Sequence, residues 1–487
     1  MSSLKRHLHA VTASGAYKAL GWLVVLLAAG TALSVLPVPW LVLGMLALVI
    51  AILILVKPQI ALYLLCCSIP FGSLLSINLG GIRVGITDAL LAVVLAGWLA
   101  RTIAYRQPIT WPRLALPALL FVGVSAFSLL QAQSLPLVAK ELAKWIEFLA
   151  MMVVVTNVAS QQKQQSRVII ACLLLAGVAQ ALLGAYQFLT RSGPEFFAFG
   201  RFLRAYGTFE QPNPFGGYMG LSAPLALALV LGSRSQEIPV WLKWLALGSL
   251  FALAAGIGMS GSRGTWLGAG AALGIITAAH GRQGQIVLLI AILLLALAGV
   301  LGGISLVPDQ VIERITGFLP LVGGLSAGSD VRSIEVTDAN YASLERLAFW
   351  QAAADMWAER PWLGVGLGNY QAAYPQHSLP KWRMSLGHAH NYYLNIAAET
   401  GLLGLLTYLA LWAAVIWQLA KTTLQAQSAY AKSLALGALG VVIHASVHNV
   451  VDNLWVHHMY VHVAILLGLA QAQSRLASST AVAEPAR

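Results

Sequence analysis

The sequence predicts an all-α fold, a polytopic helical membrane protein with about 12–14 transmembrane helices and one large external loop containing surface helices. Of its 487 residues, 59% are hydrophobic and only 9% are charged, and the mean hydropathy is +0.77. Soluble domains carry about 25% charged residues, so this chain cannot cover a water-facing surface. Its apolar runs are long and continuous rather than alternating, which favours helical spans over a transmembrane β-barrel.

About fourteen apolar segments are long enough to cross a bilayer in a window of about 19 residues. They cover 19–36, 38–56, 59–76, 84–100, 114–132, 136–157, 168–190, 214–232, 240–259, 264–280, 285–305, 390–418, 433–449 and 455–472. We predict N-terminal transmembrane helices over 1–135 and core transmembrane helices over 136–305. A large external loop (306–389) and C-terminal transmembrane helices (390–487) follow.

Positive charges orient the predicted spans. With the N-terminus in the cytoplasm, most of the 29 lysines and arginines fall in cytoplasmic segments, as the positive-inside rule requires, and both termini are cytoplasmic. This bias explains the net charge of +12, and we predict no nucleic-acid partner. Lys5, Arg6 and Lys18 precede an apolar run that continues into a second one, which indicates a retained span rather than a cleaved signal. The short external loops hold five cations: Arg83, Arg191, Arg201, Arg204 and Arg263.

The long external segment is too polar to span a membrane. Within it, 341–358 has helical periodicity and predicts a helix along the membrane surface that ends before Pro361. Its apolar face would hold Leu344, Leu347, Ala348, Trp350 and Ala354. The next stretch, GVGLGN, partly mimics a dinucleotide fingerprint, but no βαβ pattern surrounds it, so an ordered loop is predicted.

The segment RFLRAYGTFEQPNPF (201–215) leads into a predicted span. Asn213 is expected to cap that helix, with Pro214 in its first turn. A helix N-terminus attracts anions through its free N–H groups and positive partial charge, and Arg201 and Arg204 lie just before it. The alternative is that both arginines snorkel to the membrane interface.

The segment SGSRG (260–264) joins two predicted spans with almost no spacer. Its small residues permit a sharp reversal, which would hold Ser262 and Arg263 at the start of the next helix. A guanidinium with paired donors at that point suits a phosphate or diphosphate. The alternative is a simple tight turn.

The segment HAHNYYLNIAAETGLLG (388–404) places His390 at the start of a span, with His388 and Asn391 beside it. The residues expected to share its helix face are Leu394, Ala397 and Gly401. The positive end of a helix disfavours a protonated imidazole, and a neutral histidine there could accept a proton from an attacking hydroxyl. The alternative is a structural, hydrogen-bonded histidine.

The His-x-His pair also raises the option of zinc, with a further ligand from His448, His457 or His458. No third ligand has helical zinc spacing, so we predict no metal and no cofactor.

A fourth external helix start carries Lys140, Glu141, Lys144 and Glu147. The two lysines would repel each other at i, i+4 unless the two glutamates pair with them, and they could instead clamp an anionic headgroup. Glu399 is the other charge placed within a span, either as a hydrogen-bonding group in helix packing or as a site residue. Together these segments predict one external chamber, lined by cations and a histidine and open to the bilayer, that suits a lipid diphosphate.

Three of these segments give the chain its resemblance to a known family. RAYGTFEQPNPFGGY, then SGSRGTWLG, then a long external loop, then HAHNYYLNIAAETGLLG resemble the O-antigen ligase and polymerase superfamily over roughly residues 200–450. The last segment matches that family's pattern of His-Asn, nine residues and Gly-x-x-Gly, here from His390-Asn391 to Gly401 and Gly404.

The resemblance implies an integral membrane glycosyltransferase of the helical C type, which assembles surface polysaccharide on the periplasmic or outer face of the inner, cytoplasmic membrane. The donor would be a glycan on a polyprenyl diphosphate carrier, and the acceptor a glycan, lipid or protein hydroxyl. No metal or nucleotide sugar would take part. Arg263, with Arg204, would bind the diphosphate, and His390 would activate the acceptor for inversion. Leu405 and Leu406 follow Gly404 where ligases often carry hydroxyl residues, so a polymerase remains open.

Two other classes of function remain. A flippase or other transporter of lipid-linked glycans commonly shows repeated halves and broken helices at the bilayer midplane, and neither pattern is evident in the sequence. A polar, repeated midplane pathway in the structure would favour this class. A non-catalytic carbohydrate-binding or scaffold membrane protein would leave His390 dispensable, while export would still depend on the chain.

Overall fold

The computed structural model describes residues 57–74, 76–79, 82–282 and 341–483, together with 54, 284–286, 288–290, 293 and 336. The chain divides into two compact units, Met1–Ala61 and Leu62–Arg487, and the helices and loops of the candidate site belong to the second. The predicted span at 19–36, most of those at 38–56 and 285–305, and the first part of the predicted external loop lie outside the described residues.

Helices form nearly all of the described chain. In order they are α1 (Gln59–Ser68), α2 (Ile86–Ala104), α3 (Ala115–Phe127), α4 (Leu135–Gln161), α5 (Lys163–Thr190), α6 (Pro212–Leu231), α7 (Val240–Ser260), α8 (Arg263–Ala279), α9 (Tyr341–Glu359), α10 (Tyr370–His377), α11 (Tyr392–Gln425), α12 (Ala429–His448) and α13 (Met459–Ala483). Two antiparallel hairpins precede α2 and α6: β1 (Ser76–Leu79) with β2 (Ile82–Gly85), and β3 (Ala198–Phe199) with β4 (Phe202–Leu203).

Within the described residues, seven helices are long and apolar enough to cross a membrane: α2, α4, α5, α6, α7, α11 and α12. Shorter apolar helices cover Gln59–Phe71, Ala115–Gln131 and Met459–Gln473. This arrangement confirms the predicted class of polytopic, all-α membrane protein. The helix starts are close to the predicted ones, as at α7, which begins at the predicted residue 240.

Among the described residues, α6 and α12 are the most deeply buried of the seven long apolar helices. In each of these two helices 78% of the apolar stretch is buried, against 22% in α2 and 28% in α7. Most of the apolar surface of α2 and α7 is therefore exposed, as expected of helices that contact lipid. Helix α6 packs against α7, α8 and α12. A Cβ at Gly216 would come within 2.7 Å of the hydroxyl oxygens of Ser260 and Thr265, so glycine permits the close approach of α6 to the α7–α8 turn.

Helix α11 breaks at Gly401, which has φ 66° and ψ −166°. This backbone is accessible to glycine and strained for other residues. On the N-terminal side of the break, the carbonyls of Ala398 and Glu399 turn outward. They accept hydrogen bonds from the amides of Val365 and Gly366, each at 2.9 Å.

The loop 361–369 fills the break in α11. On the C-terminal side of the break, the Leu402 amide donates to the Pro361 carbonyl at 2.7 Å. The amides of Gly368 in the loop and of Tyr370, the first residue of α10, donate to the buried Glu399 carboxylate at 2.9 and 3.2 Å. The glycine-rich stretch is therefore an ordered loop, as predicted, and Glu399 anchors it to α11.

Helix α9 ends at Glu359, before Pro361 as predicted, but its buried face differs from the predicted one. Leu344, Ala348 and Trp350 are buried, whereas Ala354 is exposed. At 3.6 residues per turn Ala354 lies opposite the centre of a face that continues through Ala352 and Met356, both buried.

Candidate active site

Four segments meet where α6, α11 and α13 begin and α12 ends. They are the approach to α6 (201–211), helix α9, the approach to α11 (388–391), and the connection between α12 and α13 (449–458). The Tyr392 amide donates to the Asn449 carbonyl at 2.8 Å, which joins the approach to α11 to that connection. This contact brings His390 beside Asp452.

His390 lies outside the helix that it was predicted to open. Asn391 is the N-cap of α11, and its side chain accepts a hydrogen bond from the Leu394 amide at 3.1 Å. His390 precedes this cap in a left-handed conformation with φ 51°. The prediction that His390 shares a helix face with Leu394 is therefore wrong, because the asparagine cap fixes the helix start two residues later.

Neighbouring groups hold the His390 ring and its backbone in place. The ring stacks on Phe349 with a centroid distance of 5.7 Å. The His390 amide donates to Nδ1 of His388 at 3.1 Å, and the His390 carbonyl accepts a hydrogen bond from the Trp350 indole at 3.2 Å. Strained backbone that is held in this way is typical of functional sites.

The Asp452 carboxylate is the partner of His390. Nδ1 of His390 lies 3.1 Å from Oδ1 of Asp452, and that oxygen also accepts the Asn453 amide. Burial alone would raise the pKa of Asp452, but the charge that His390 carries when protonated, its hydrogen bond and the charge of Arg346 hold that pKa well below its usual range. Asp452 is therefore an anion at neutral pH, which orients the imidazole through Nδ1.

The other carboxylate oxygen of Asp452 connects to the predicted arginine site. Oδ2 accepts a hydrogen bond from the Asn213 side chain at 2.8 Å, and Arg346 lies 3.9 Å away. The Asn213 side-chain oxygen in turn accepts from Nη2 of Arg204 at 2.9 Å. His390 and Arg204, predicted from separate segments, therefore belong to one hydrogen-bonded network.

Asn213 does not cap α6. The helix begins at Pro212, with Gln211 at the N-cap position and without a side-chain cap. Proline favours the first helical position, because it lacks the N–H group that would otherwise be unsatisfied there. The Asn213 amide therefore lies within the first turn and serves the network instead, so the predicted capping role is wrong.

The sharp turn predicted at SGSRG is present. Gly261 ends α7 with φ 56°, Ser262 is the N-cap of α8 with its hydroxyl accepting the Thr265 amide at 3.4 Å, and Arg263 is the first helical residue. Nε of Arg204 donates to the Ser260 carbonyl at 2.8 Å, so Arg204 bridges the approach to α6 and this turn. Arg263 is partly buried at the predicted helix start.

The remaining predicted residues lie elsewhere or have other partners. Arg201 is exposed, with its guanidinium 4.8 Å from the Phe202 ring centroid, and Lys140 is also exposed. Lys144 pairs with Glu141 at 2.6 Å and donates to the Trp455 carbonyl at 3.1 Å, which ties α4 to the connection that carries Asp452.

Glu147 accepts a hydrogen bond from the Tyr460 hydroxyl. Its expected pairing with Lys140 and Lys144 is replaced by this contact, because the side chain turns toward α13.

Sequence reasoning missed Asp452 and Arg346. The signal for Asp452 was a carboxylate in a short external connection between two predicted spans, a costly position near a membrane. Arg346 was one of several cations in a long loop, where the charge rule carries no information. Only the packing of α9 brings it near Asp452.

His388, His390 and Asp452 bring three metal-ligand atoms within 4.8 Å of one another. The third ligand, Asp452, comes from the connection between α12 and α13. The lack of a third ligand at helical spacing in the sequence was therefore a wrong reason to reject a zinc site. However, Asp452 already accepts hydrogen bonds from three residues and faces Arg346, whose charge opposes a bound cation. Burial, with the charge of His390, lowers the pKa of His388 to about 3, so this histidine is neutral at physiological pH.

Residues 248–409 match the family model of the O-antigen ligases. This segment is similar to the O-antigen ligases. This match confirms the resemblance to the O-antigen ligase and polymerase family. A comparison with curated proteins found no match. The matched segment contains Arg263, Arg346 and His390, whereas Arg204 and Asp452 lie outside it.

Proposed function

We propose that this protein is a membrane glycosyltransferase that moves a glycan from a polyprenyl diphosphate carrier to an acceptor hydroxyl. The family match supports a ligase or polymerase activity, and the geometry at His390 carries the mechanism. Because Nδ1 of His390 faces the Asp452 anion, the proton resides on Nδ1 and the lone pair on Nε2. Nε2 is buried and has no hydrogen-bond partner among the described residues, so it is available as a base.

In the proposed reaction Nε2 of His390 accepts the proton of the acceptor hydroxyl. The acceptor oxygen forms a bond to the anomeric carbon, and the bond from that carbon to the phosphate oxygen breaks. The diphosphate leaves with the electron pair, and attack opposite to it inverts the configuration. Arg263 and Arg204 stabilise the negative charge that develops on the leaving group.

Access to Nε2 requires a local rearrangement, because that atom is covered. The His388 ring lies 4.3 Å from the His390 ring between centroids and is partly exposed. We infer that an entering acceptor displaces His388. The displacement breaks the hydrogen bond that the His390 amide donates to Nδ1 of His388.

We place the site on the outer face of the cytoplasmic membrane. The bias of lysines and arginines toward the opposite side supports this orientation. Polyprenyl diphosphate glycans exposed on that face would reach the arginines from the bilayer, and the acceptor would come from the aqueous side. A glycan, a lipid or a protein hydroxyl would all satisfy the chemistry, so the product decides between polymerase and ligase.

The test is turnover by the purified chain in detergent, with a polyprenyl diphosphate glycan, candidate acceptors and EDTA. We expect metal-independent release of polyprenyl diphosphate, lost in both His390→Ala and Arg263→Ala. His377→Ala is the matched control, because that histidine, the last residue of α10, pairs with Glu359 at the end of α9. Full activity in His390→Ala would exclude His390 as the general base. Movement of the carrier across liposome leaflets without turnover would favour a flippase.

A further inference from the structure

A second polar pocket opens beside the candidate active site and takes no part in the proposed mechanism. Its volume is about 150 Å³, and it lies between the first hairpin, the approach to α6 and the connection from α12 to α13. The hydrogen-bonding side chains that line it are Ser73, Ser76, Asp88, Glu210, His457 and His458. We propose that this pocket binds a sugar residue of the glycan, an inference that rests on the proposed function.

The pocket is a built site rather than a gap between loops. Nε2 of His458 lies 2.8 Å from Oδ1 of Asp88, and the other Asp88 oxygen accepts the Gly85 amide at 2.6 Å. Glu210, His457 and His458 all have left-handed backbones, with φ of 63°, 48° and 59°. These three side chains therefore line the same cavity from backbone conformations that are strained for residues other than glycine.

The chemistry of the lining selects a neutral, hydroxyl-rich ligand. The carboxylates of Asp88 and Glu210 would repel a diphosphate, and the polar side chains disfavour a lipid tail. Among the described residues, the one group of three acid or histidine ligand atoms within 4.8 Å is that of His388, His390 and Asp452, so the donors of this pocket do not converge on an ion. Dispersed carboxylates, imidazoles and hydroxyls match the alternating donors and acceptors of a sugar ring.

The location fits a glycan that extends from the reacting sugar. Glu210 is three residues from Asn213, and His457 is five residues from Asp452, so the two Cα separations are at most about 11 and 18 Å. The Asn213–Asp452 hydrogen bond of 2.8 Å joins the two segments at the active site. The Phe209 and His457 rings, 5.5 Å apart, join them again at the pocket. A glycan a few sugars long would reach from the active site to the pocket.

The experiment measures initial rates while the polyprenyl diphosphate glycan and the glycan acceptor are varied separately, for the wild type, Glu210→Gln and Asp88→Asn. We expect KM for one substrate to rise about tenfold in each variant, as loss of a hydrogen bond to a charged group predicts, with kcat within about twofold. A higher KM for the acceptor assigns the pocket to the acceptor glycan, and a higher KM for the donor assigns it to the donor glycan. Glu195→Gln, an exposed glutamate on the same side, is the matched control.

Calorimetric titration with the oligosaccharide released by mild acid from the host's own carriers separates the two proposals. Wild-type binding that weakens about tenfold in Glu210→Gln supports the pocket even if the wild type shows no turnover, an outcome in which only the proposed function fails. Normal turnover, with both KM values and oligosaccharide binding unchanged in both variants, would overturn the pocket and leave the proposed function standing.

Discussion

Asp452 is the residue on which the candidate site depends. Its two carboxylate oxygens contact His390, Asn213 and the Asn453 amide, with Arg346 at 3.9 Å. One side chain thereby fixes the tautomer of the proposed base and connects it to the network of Arg204. A carboxylate in this position orients the imidazole and stabilises its protonated form during the reaction.

We expect Asp452→Asn to lower kcat at least about 100-fold, because an amide no longer holds the proton on Nδ1 or stabilises the imidazolium. KM for the donor should change less than about threefold, since the arginines are retained. Initial rates in detergent measure both. Asp355→Asn, an exposed aspartate on α9, is the control, and equal kcat in the two variants would contradict the proposed role.

The lowered pKa of Asp452 also predicts a dependence of stability on pH. A carboxyl whose pKa is lower in the folded than in the unfolded protein stabilises the fold above its unfolded pKa of about 3.9 and loses that effect as the pH falls toward its folded pKa. Wild type should therefore unfold at a higher temperature than Asp452→Asn at pH 7, and the gap should narrow below about pH 4. Tryptophan fluorescence during heating measures both unfolding temperatures. A difference between them that does not change with pH would exclude the ionisation of Asp452 as its cause.

At the scale of elements, the break in α11 gives the family's glycine pattern a structural reason. Nine residues separate His390-Asn391 from Gly401, and they form a short helical segment that begins just after the proposed base and ends at the break. The loop 361–369 bonds to both sides of the break and to Glu399. The base is therefore positioned by a helix whose far end is locked into the external loop.

Gly401→Ala should destabilise the protein by about 3 kcal/mol, because alanine is strained at φ 66° and its Cβ would overlap the Trp362 backbone. The expected result is a lower unfolding temperature together with lost activity. Gly274→Ala in α8 is the matched control, since a Cβ there meets nothing within 4 Å. Equal unfolding temperatures for the two variants would show that the break is not required.

At the scale of the whole molecule, the candidate site lies at one end of the buried pair α6 and α12. The approach to α6 supplies Arg204, the first turn of α6 supplies Asn213, and the connection after α12 supplies Asp452. Among the described residues, helices α2 and α7 are the least buried of the seven long apolar helices. We propose that a carrier lipid in the bilayer and an acceptor in water meet at the helix ends that hold the candidate site.

The proposed orientation predicts which loops face the outside. With Cys66, Cys67 and Cys172 replaced, a single cysteine at exposed Glu195 should react with a membrane-impermeant maleimide in intact cells. A cysteine at exposed Gln236, at the opposite ends of α6 and α7, should react only after permeabilisation. The reverse pattern would place the candidate site on the cytoplasmic side.

The sequence by itself determined the membrane class, the helix starts near 212, 240 and 263, the sharp turn at Arg263 and the family resemblance. These follow from local composition: long apolar runs need helices in lipid, and glycine, serine and proline mark where helices end or begin. Tertiary structure alone decided the pairing of His390 with Asp452, 62 residues away. It also decided the approach of Arg346, the role of Asn213 and the insertion of loop 361–369 into α11. Those contacts depend on how distant helix ends pack together, and no local periodicity encodes that packing.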